Sequence, residues 1–313
     1  MYSIFQTDKD QRLVPIRKPE PGCWISVVKP TNEEILMLRD QYRVLPEFLR
    51  AALDPEETSH IDADDDRRQT LIIADYCMEK KSDIPGLPAC ITRPLSIIFQ
   101  KDRIITISID ENPFIEDMEQ GRIRNVKTQE PVLFLLQLMY AFSQKYQLYL
   151  RQIEAVSEKV SDRLYRNMNN KGLMEMMELD KSLIYFSASL KTDSNTLEKL
   201  RLGKVFHLNN DEKDLLDDVI IEYAQASDMC TIYTSINERV SNGCNSVLSN
   251  NMNDIMKTLT VITIVMSIPN MIYGFYGMNV TGLPIPQTWF PLLLSIILCI
   301  LCWIYFHFSR RFK

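Results

Sequence analysis

Residues 259–276 read LTVITIVMSIPNMIYGFY, residues 277–288 read GMNVTGLPIPQT, and residues 289–308 read WFPLLLSIILCILCWIYFHF. From Thr258 to Ser309 there is no Asp, Glu, Lys or Arg. A water-facing domain rarely runs so far without a charge, so this end of the chain needs a different solvent. Each apolar run is close to the roughly 20 residues that a helix needs to cross a bilayer core. The Gly- and Pro-rich stretch between them suits a short exposed loop. A helical hairpin buried in a soluble core is the competing reading, but nothing amphipathic is left to face water. The expectation is an α-helical hairpin of two membrane spans, 258–276 and 289–308, joined by an external loop over 277–288.

Basic flanks give the orientation. Lys257 precedes the first span, Arg310, Arg311 and Lys313 follow the second, and the loop has no Lys or Arg. Both termini are therefore expected in the cytosol, with residues 309–313 a basic cytosolic tail. The opening MYSIFQTDKDQRLVPIRK lacks a basic-then-apolar-then-small pattern, so no cleaved signal is expected. That places the large N-terminal body inside, in a plasma (inner) membrane protein. Tyr273, Tyr276 and Trp289 fall near the outer interface, and Trp303 and Tyr305 near the inner one.

The first span carries a polar stripe. Thr260, Thr263, Ser267 and Asn270 recur at spacings of three and four, Gly274 continues the series, and Met256 and Asn253 extend it backwards. Polar groups inside a membrane helix must face another helix or water. Helix packing through small polar residues is the alternative, but the second span has no matching stripe. Ser295, Cys299 and Cys302 recur there and are expected to face lipid; the CxxC spacing inside a bilayer helix is not read as a metal site. The first helix is therefore expected to line a pore, which requires several copies of the chain.

The whole chain is ordinary in composition and acidic in balance, with a net charge of -6. That excludes a nucleic-acid partner, which needs a basic face, and fits a body that collects cations. Seven scattered cysteines read as reduced thiols. Strands are expected at Met1–Gln6, Trp24–Lys29, Thr70–Cys77, Leu95–Gln100 and Arg103–Ile109, with a hairpin turn at Asp102. Thr31-Asn32-Glu33-Glu34 opens one helix, and Pro46 begins another. This gives a cytosolic α/β domain over 1–128, within an α+β fold class.

Residues 129–208 are expected to form a hairpin of long helices, Pro131–Met168 and Leu173–Leu202, broken at Asn169-Asn170-Lys171-Gly172. Asn210 and Asp211 are expected to cap a stalk helix over 209–257, continuous with the first span. Taken from Asp211 to Tyr273, it would be roughly 95 Å long and would need neighbours. A bend at Gly243 or Pro269 stays open. The acidic run Asp62-Ala63-Asp64-Asp65-Asp66 could attract cations, but reads more simply as a solvated turn or strand edge. There is no Gly-rich phosphate loop, HExxH, GxSxG or paired-cysteine metal site, so no enzyme is expected.

Tyr276-Gly277-Met278-Asn279-Val280 stands at the outer end of the first span. With the long helix before it, the short loop, one further span and the basic tail, it resembles the CorA family of magnesium channels. Leu53-Asp54-Pro55-Glu56-Glu57 is similar to the corresponding family segment. The resemblance implies a funnel-shaped homopentamer in lipid that passes magnesium inward and is closed by cytosolic magnesium. It implies an outer mouth of Gly277, Met278 and Asn279, and pore-facing positions at Asn253, Met256, Leu259 and Asn270, with Met256 and Leu259 a hydrophobic gate. It assigns a sensing carboxylate to Asp218, with a partner near Glu79 or Asp83 of the next subunit. Mg2+ is thus both cargo and regulator, with no organic cofactor. The external loop lacks the acids that many members carry there. A zinc, cobalt or nickel transporter like the related ZntB branch is the second reading, and a membrane-anchored sensor or scaffold the third. The chemistry is coherent with magnesium: the ion sheds water reluctantly, and two charges falling through about 100 mV gain roughly 4.6 kcal/mol without ATP.

Overall fold

The computed structural model describes residues 1–8, 12–82, 84, 86–120, 122–123, 126–166, 169–203, 205–278, 285, 287 and 289–308. The chain forms two compact units, Met1–Ser241 and Asn242–Lys313.

The first unit is built on a seven-stranded sheet. Its strands are β1 (Tyr2–Thr7), β2 (Leu13–Pro15), β3 (Cys23–Val28), β4 (His60–Asp64), β5 (Gln69–Lys80), β6 (Ala89–Gln100) and β7 (Arg103–Ser108), in the order β2-β1-β3-β7-β6-β5-β4. Every pairing is antiparallel except β3 with β7. Residues Lys101 and Asp102 make the tight β6–β7 turn, with Gln100 opposite Arg103. Alternation along the strands sends side chains to two faces. Ile25, Ile105 and Ile107 join a cluster with Leu38 of α1 (Asn32–Asp40) and Phe48 and Leu49 of α2 (Pro46–Ala52). On the other face Trp24 donates to Thr106 Oγ1 at 2.9 Å and stacks against Phe134 with centroids 5.3 Å apart.

Phe134 belongs to α4 (Pro131–Arg166), preceded by the short α3 (Pro113–Glu119) and followed by α5 (Asn170–Arg201). Asn169 caps α5 by accepting the Gly172 N–H at 2.7 Å. A Cβ at Gly172 would stand 2.7 Å from Leu164 Cδ2, so the glycine lets α5 approach α4 closely. The helix α6 spans Asn210–Tyr276 without interruption at Gly243. Its part in the first unit docks through Tyr223 on Tyr146, the Cys230 thiol on the Leu183 carbonyl, and Asn237 on Asp180.

The expected α+β body with long helices is present. Sequence reading missed β2, β4 and α3, and made β5 and β6 too short. For the strands the cause is the same: pairing with neighbours, not local pattern, decides where they form and end. Asp62 and Asp64 lie on edge strand β4, and Asp64 Oδ1 accepts the Arg67 N–H at 2.7 Å, so the acidic run is strand edge and turn. The cap of α6 is Asn209 instead of Asn210 or Asp211. Asn209 accepts the Glu212 N–H at 2.8 Å while Glu212 accepts the Asn209 N–H at 2.9 Å, a reciprocal capping box.

One acid sits in the middle of this unit. Asp193 of α5 is fully buried and accepts the Asp75 N–H at 3.0 Å. Burial, then the nearby Asp75 carboxyl, push its pKa well above the ordinary 3.8. A carboxyl with a raised folded-state pKa holds its proton where the unfolded chain has lost it. Its contribution to stability is therefore complete below the unfolded value and falls as pH rises toward the folded one. Asp193→Asn, which cannot ionise, should gain melting temperature relative to wild type as pH is raised from about 5 to about 8. A gap between the two proteins that stays constant over that range would show that Asp193 is charged in the fold.

Candidate pore-lining face

The second unit contains the outer part of α6 and α7 (Trp289–Phe308). Both helices are long and apolar enough to cross a membrane, with mean hydropathy 1.6 and 2.3 over their most apolar windows. Their contact fixes which face of the first span remains open. Val261, Val265, Ile268, Ile272 and Tyr276 are half-buried, and Tyr276 meets Phe290 with ring centroids 6.2 Å apart. On α7 the buried positions are Pro291 and Ser295, with Cys299, Cys302 and Phe306 half-buried. Small residues at this spacing let two membrane helices approach closely. Ser295 and the two cysteines therefore face the first span, a correction to the expectation that they face lipid. Ser295 returns its proton to the Leu292 carbonyl at 2.9 Å.

The polar stripe lies elsewhere. Asn253, Met256, Leu259, Thr260, Thr263, Ser267, Asn270 and Gly274 are all exposed. At about 100° per residue, they fall on the side of the helix opposite the contact with α7. A Cβ added at Gly274 would meet nothing within 4 Å, so that glycine is not needed for packing within the chain. The inner end of the stripe is a depression of about 600 Å³ that brings together Asn253, Met256 and Thr260 with Asn250, Asp254 and Lys257. Lys257 pairs with Asp254 at 3.0 Å, which spends the local charge of both.

The hydroxyls have a defined polarity. Thr260 donates to the Met256 carbonyl at 2.8 Å, Thr263 to Leu259 at 2.8 Å and Ser267 to Thr263 at 2.7 Å. Such back-bonding is the usual resort of a hydroxyl on a helix. Its consequence here is that each proton is committed inward, and the oxygen offers only lone pairs outward. Asn270 and Asn253 add amide groups that can accept as well. From Met256 to Gly274 the face is thus neutral, its hydroxyl oxygens turned outward as acceptors and its amide able both to accept and to donate.

The helix ends at the next predicted feature. Gly277 N–H donates to the Tyr273 carbonyl at 2.9 Å and Met278 N–H to Phe275 at 3.4 Å. A Cβ at Gly277 would lie 3.0 Å from that Tyr273 oxygen, tighter than a side chain tolerates without a shift. Asn279 lies outside the described residues, as does Asp83. Asp218 and Glu79 are both exposed, and among the described residues no three His, Cys, Asp or Glu side chains group to hold a metal.

A feature that the sequence reading missed lies at the helix contact. Pro269 has no N–H to give to the Val265 carbonyl four residues earlier. The Cys299 thiol of α7 donates to that carbonyl at 3.5 Å. A proline inside an apolar run signals the orphaned carbonyl, but not which side chain answers it.

Comparison with known proteins bears on the whole chain. The family model described as CorA-like Mg2+ transporter protein matches residues 20–311. The cobalt/magnesium transport protein CorA of Methanocaldococcus jannaschii is 24% identical over 323 residues, covering 97% of this chain and 98% of that protein. The complete structure of the CorA magnesium transporter from that organism superposes with a TM-score of 0.81 at 22% identity, over 99% of this chain and 98% of the other. The ZntB cytoplasmic domain from Vibrio parahaemolyticus gives a TM-score of 0.63 at 12% identity, over 79% of this chain and 98% of that domain. At these identities the structural likenesses show the fold.

The two faces of the first span differ in what they meet, and thiol chemistry reads the difference. With Cys299 and Cys302 replaced by serine, Thr263→Cys and Ser267→Cys in reconstituted protein should react with a water-soluble methanethiosulfonate. Val261→Cys and Val265→Cys should not. Protection of positions 263 and 267 in every condition would mean that the stripe is sealed against lipid or protein.

Proposed function

The chain belongs to the CorA-like Mg2+ transporter family, and we propose that it is a channel subunit passing hydrated magnesium into the cytosol. The observation that carries this reading is the exposure of the polar stripe on the face of the first span turned away from α7. One such helix encloses nothing. Several copies arranged with that face inward give a pore walled by Asn253, Thr260, Thr263, Ser267, Asn270 and Gly274, with Met256 and Leu259 as an apolar ring toward the cytosol. In this reading the copies number five, as the resemblance to the family implies.

The acceptor polarity of the wall suits this cargo. A hydrated divalent cation turns its water hydrogens outward, so its surface is a shell of donors. Hydroxyl oxygens whose own protons are committed to backbone carbonyls accept from that shell without competing for the metal. Magnesium dehydrates reluctantly, and a carboxylate wall would hold the ion too firmly for release. Gly277, Met278 and Asn279 form the outer mouth in this reading, which also sets the termini in the cytosol and residues 277–288 outside. Flow is driven by the membrane potential and the ion's own gradient.

Cytosolic magnesium closes the channel by binding between subunits. Asp218 on the exposed face of α6 and Glu79 at the end of β5, or Asp83, supply the carboxylates from neighbouring copies. The exposure of Asp218 and Glu79 in one chain is what a shared site requires.

Flux into proteoliposomes with magnesium, zinc, cobalt and nickel decides among cargoes; zinc flux without magnesium flux would overturn the choice of ion in favour of a ZntB-like carrier. Asn279→Ala should abolish magnesium uptake with assembly intact, and Thr263→Val should lower it several-fold. Uptake in Asn279→Ala equal to wild type would remove the mouth assignment. Separately, Asp218→Asn should keep conducting at internal magnesium concentrations that shut the wild type. Unchanged inhibition in that variant would take Asp218 out of the sensor.

A further inference from the structure

The contact between Pro269 and Cys299 reaches further than local packing. Pro269 leaves the Val265 carbonyl without its helical donor, and inside a bilayer no water replaces it. Sharp helix kinks, of more than about 20°, are found mostly at such positions. The Cys299 thiol closes this gap from the second span, 3.5 Å from the orphaned oxygen. It does so from the face where Pro291, Ser295 and Cys302 also turn toward the first span.

We propose that Cys299 is a positioning residue for the transport path: by holding the carbonyl that Pro269 frees, it sets the direction of the outer end of the first span. This inference rests on the reading of that span as pore-lining. Everything beyond the proline that the wall and the mouth need, from Asn270 through Gly274 to Gly277, hangs from this joint. Eight residues of helix reach about 12 Å. A change of about 10° at the joint therefore moves Gly277 sideways by about 2 Å. In a ring of subunits every mouth would shift together, enough to admit or exclude a hydrated ion. The thiol is suited to the task because its bond is weak and small: it restrains the joint without filling the seam between the helices.

The test is a double-mutant cycle read in proteoliposome flux and in thermal melting of the full-length protein in detergent. Cys299→Ala removes the donor at little change in volume, and Cys299→Ser keeps a donor. Pro269→Ala returns an N–H to the Val265 carbonyl and makes the thiol redundant. Cys299→Ala alone should alter magnesium uptake about fivefold, the change that corresponds to one hydrogen bond of ordinary net strength. Cys299→Ser should restore the wild-type rate. In the Pro269→Ala background the further change Cys299→Ala should do nothing to uptake or melting. Transport by Cys299→Ala at the wild-type rate, or an equal effect of that change in both backgrounds, would overturn the proposal. A wild-type protein that moves no ion would instead overturn the channel reading, and the melting cycle alone would still decide whether thiol and carbonyl are coupled.

Discussion

The constraint that organises this protein is the lack of water inside a bilayer. A polar group there must find its partner within protein or in a path that itself holds water. The outer part of α6 obeys this atom by atom. Three hydroxyls return their protons to carbonyls one turn back, and the carbonyl freed by Pro269 takes the thiol of Cys299. What remains turned away from α7 among the described residues is the outer lone pairs of those hydroxyls together with the amides of Asn253 and Asn270. Acceptors without donors in the chain are compatible with the membrane only where donors come from elsewhere, and hydrated cations are donors over their entire surface.

The same constraint explains why the stripe is neutral. A carboxylate in the span would satisfy a cation too well and would carry a large desolvation cost whenever the ion was absent. The charges instead stop at Lys257, which is already paired with Asp254 at 3.0 Å. Asp218 and Glu79, by contrast, are exposed in the unit spanning Met1–Ser241, where water shares their solvation. An ion that must be released is suited by neutral oxygens, and one that must be retained by carboxylates.

How much of this could be read from the sequence depended on period. The stripe Thr260, Thr263, Ser267, Asn270 announces itself because helical spacing is local, and the charge-free stretch announces the membrane because it is long. The capping box of α6 was also legible, since Asn209 and Glu212 have the required spacing; Asn210 and Asp211 beside them obscured it. The short strand β4 was not legible, because its order comes from pairing with β5 and not from its own acidic sequence. The face of α7 that turns inward was misread for a related reason. Ser295, Cys299 and Cys302 form a small-residue stripe that fits lipid and a helix seam equally well, and only the packed pair distinguishes the two.

Two acids on long helices show the converse: the family resemblance gave Asp218 a sensing role, and Asp193 drew no reading from the sequence. Asp193 is fully buried in the fold, its pKa raised first by burial, whereas Asp218 is exposed and, among the described residues, no three His, Cys, Asp or Glu side chains group to hold a metal. Local polarity points the wrong way, since the buried Asp193 lies in the polar stretch Lys191–Thr196 while the exposed Asp218 is followed by Val219-Ile220-Ile221. Burial assigns Asp193 to the integrity of the unit and leaves Asp218 available to another copy. An acid that already has its surroundings inside one chain cannot easily answer to an external ion, because binding would first have to undo the packing that raised its pKa. An exposed acid on a long helix pays no such cost, and for that reason a regulatory cation is better served at a surface between copies than in the core of one.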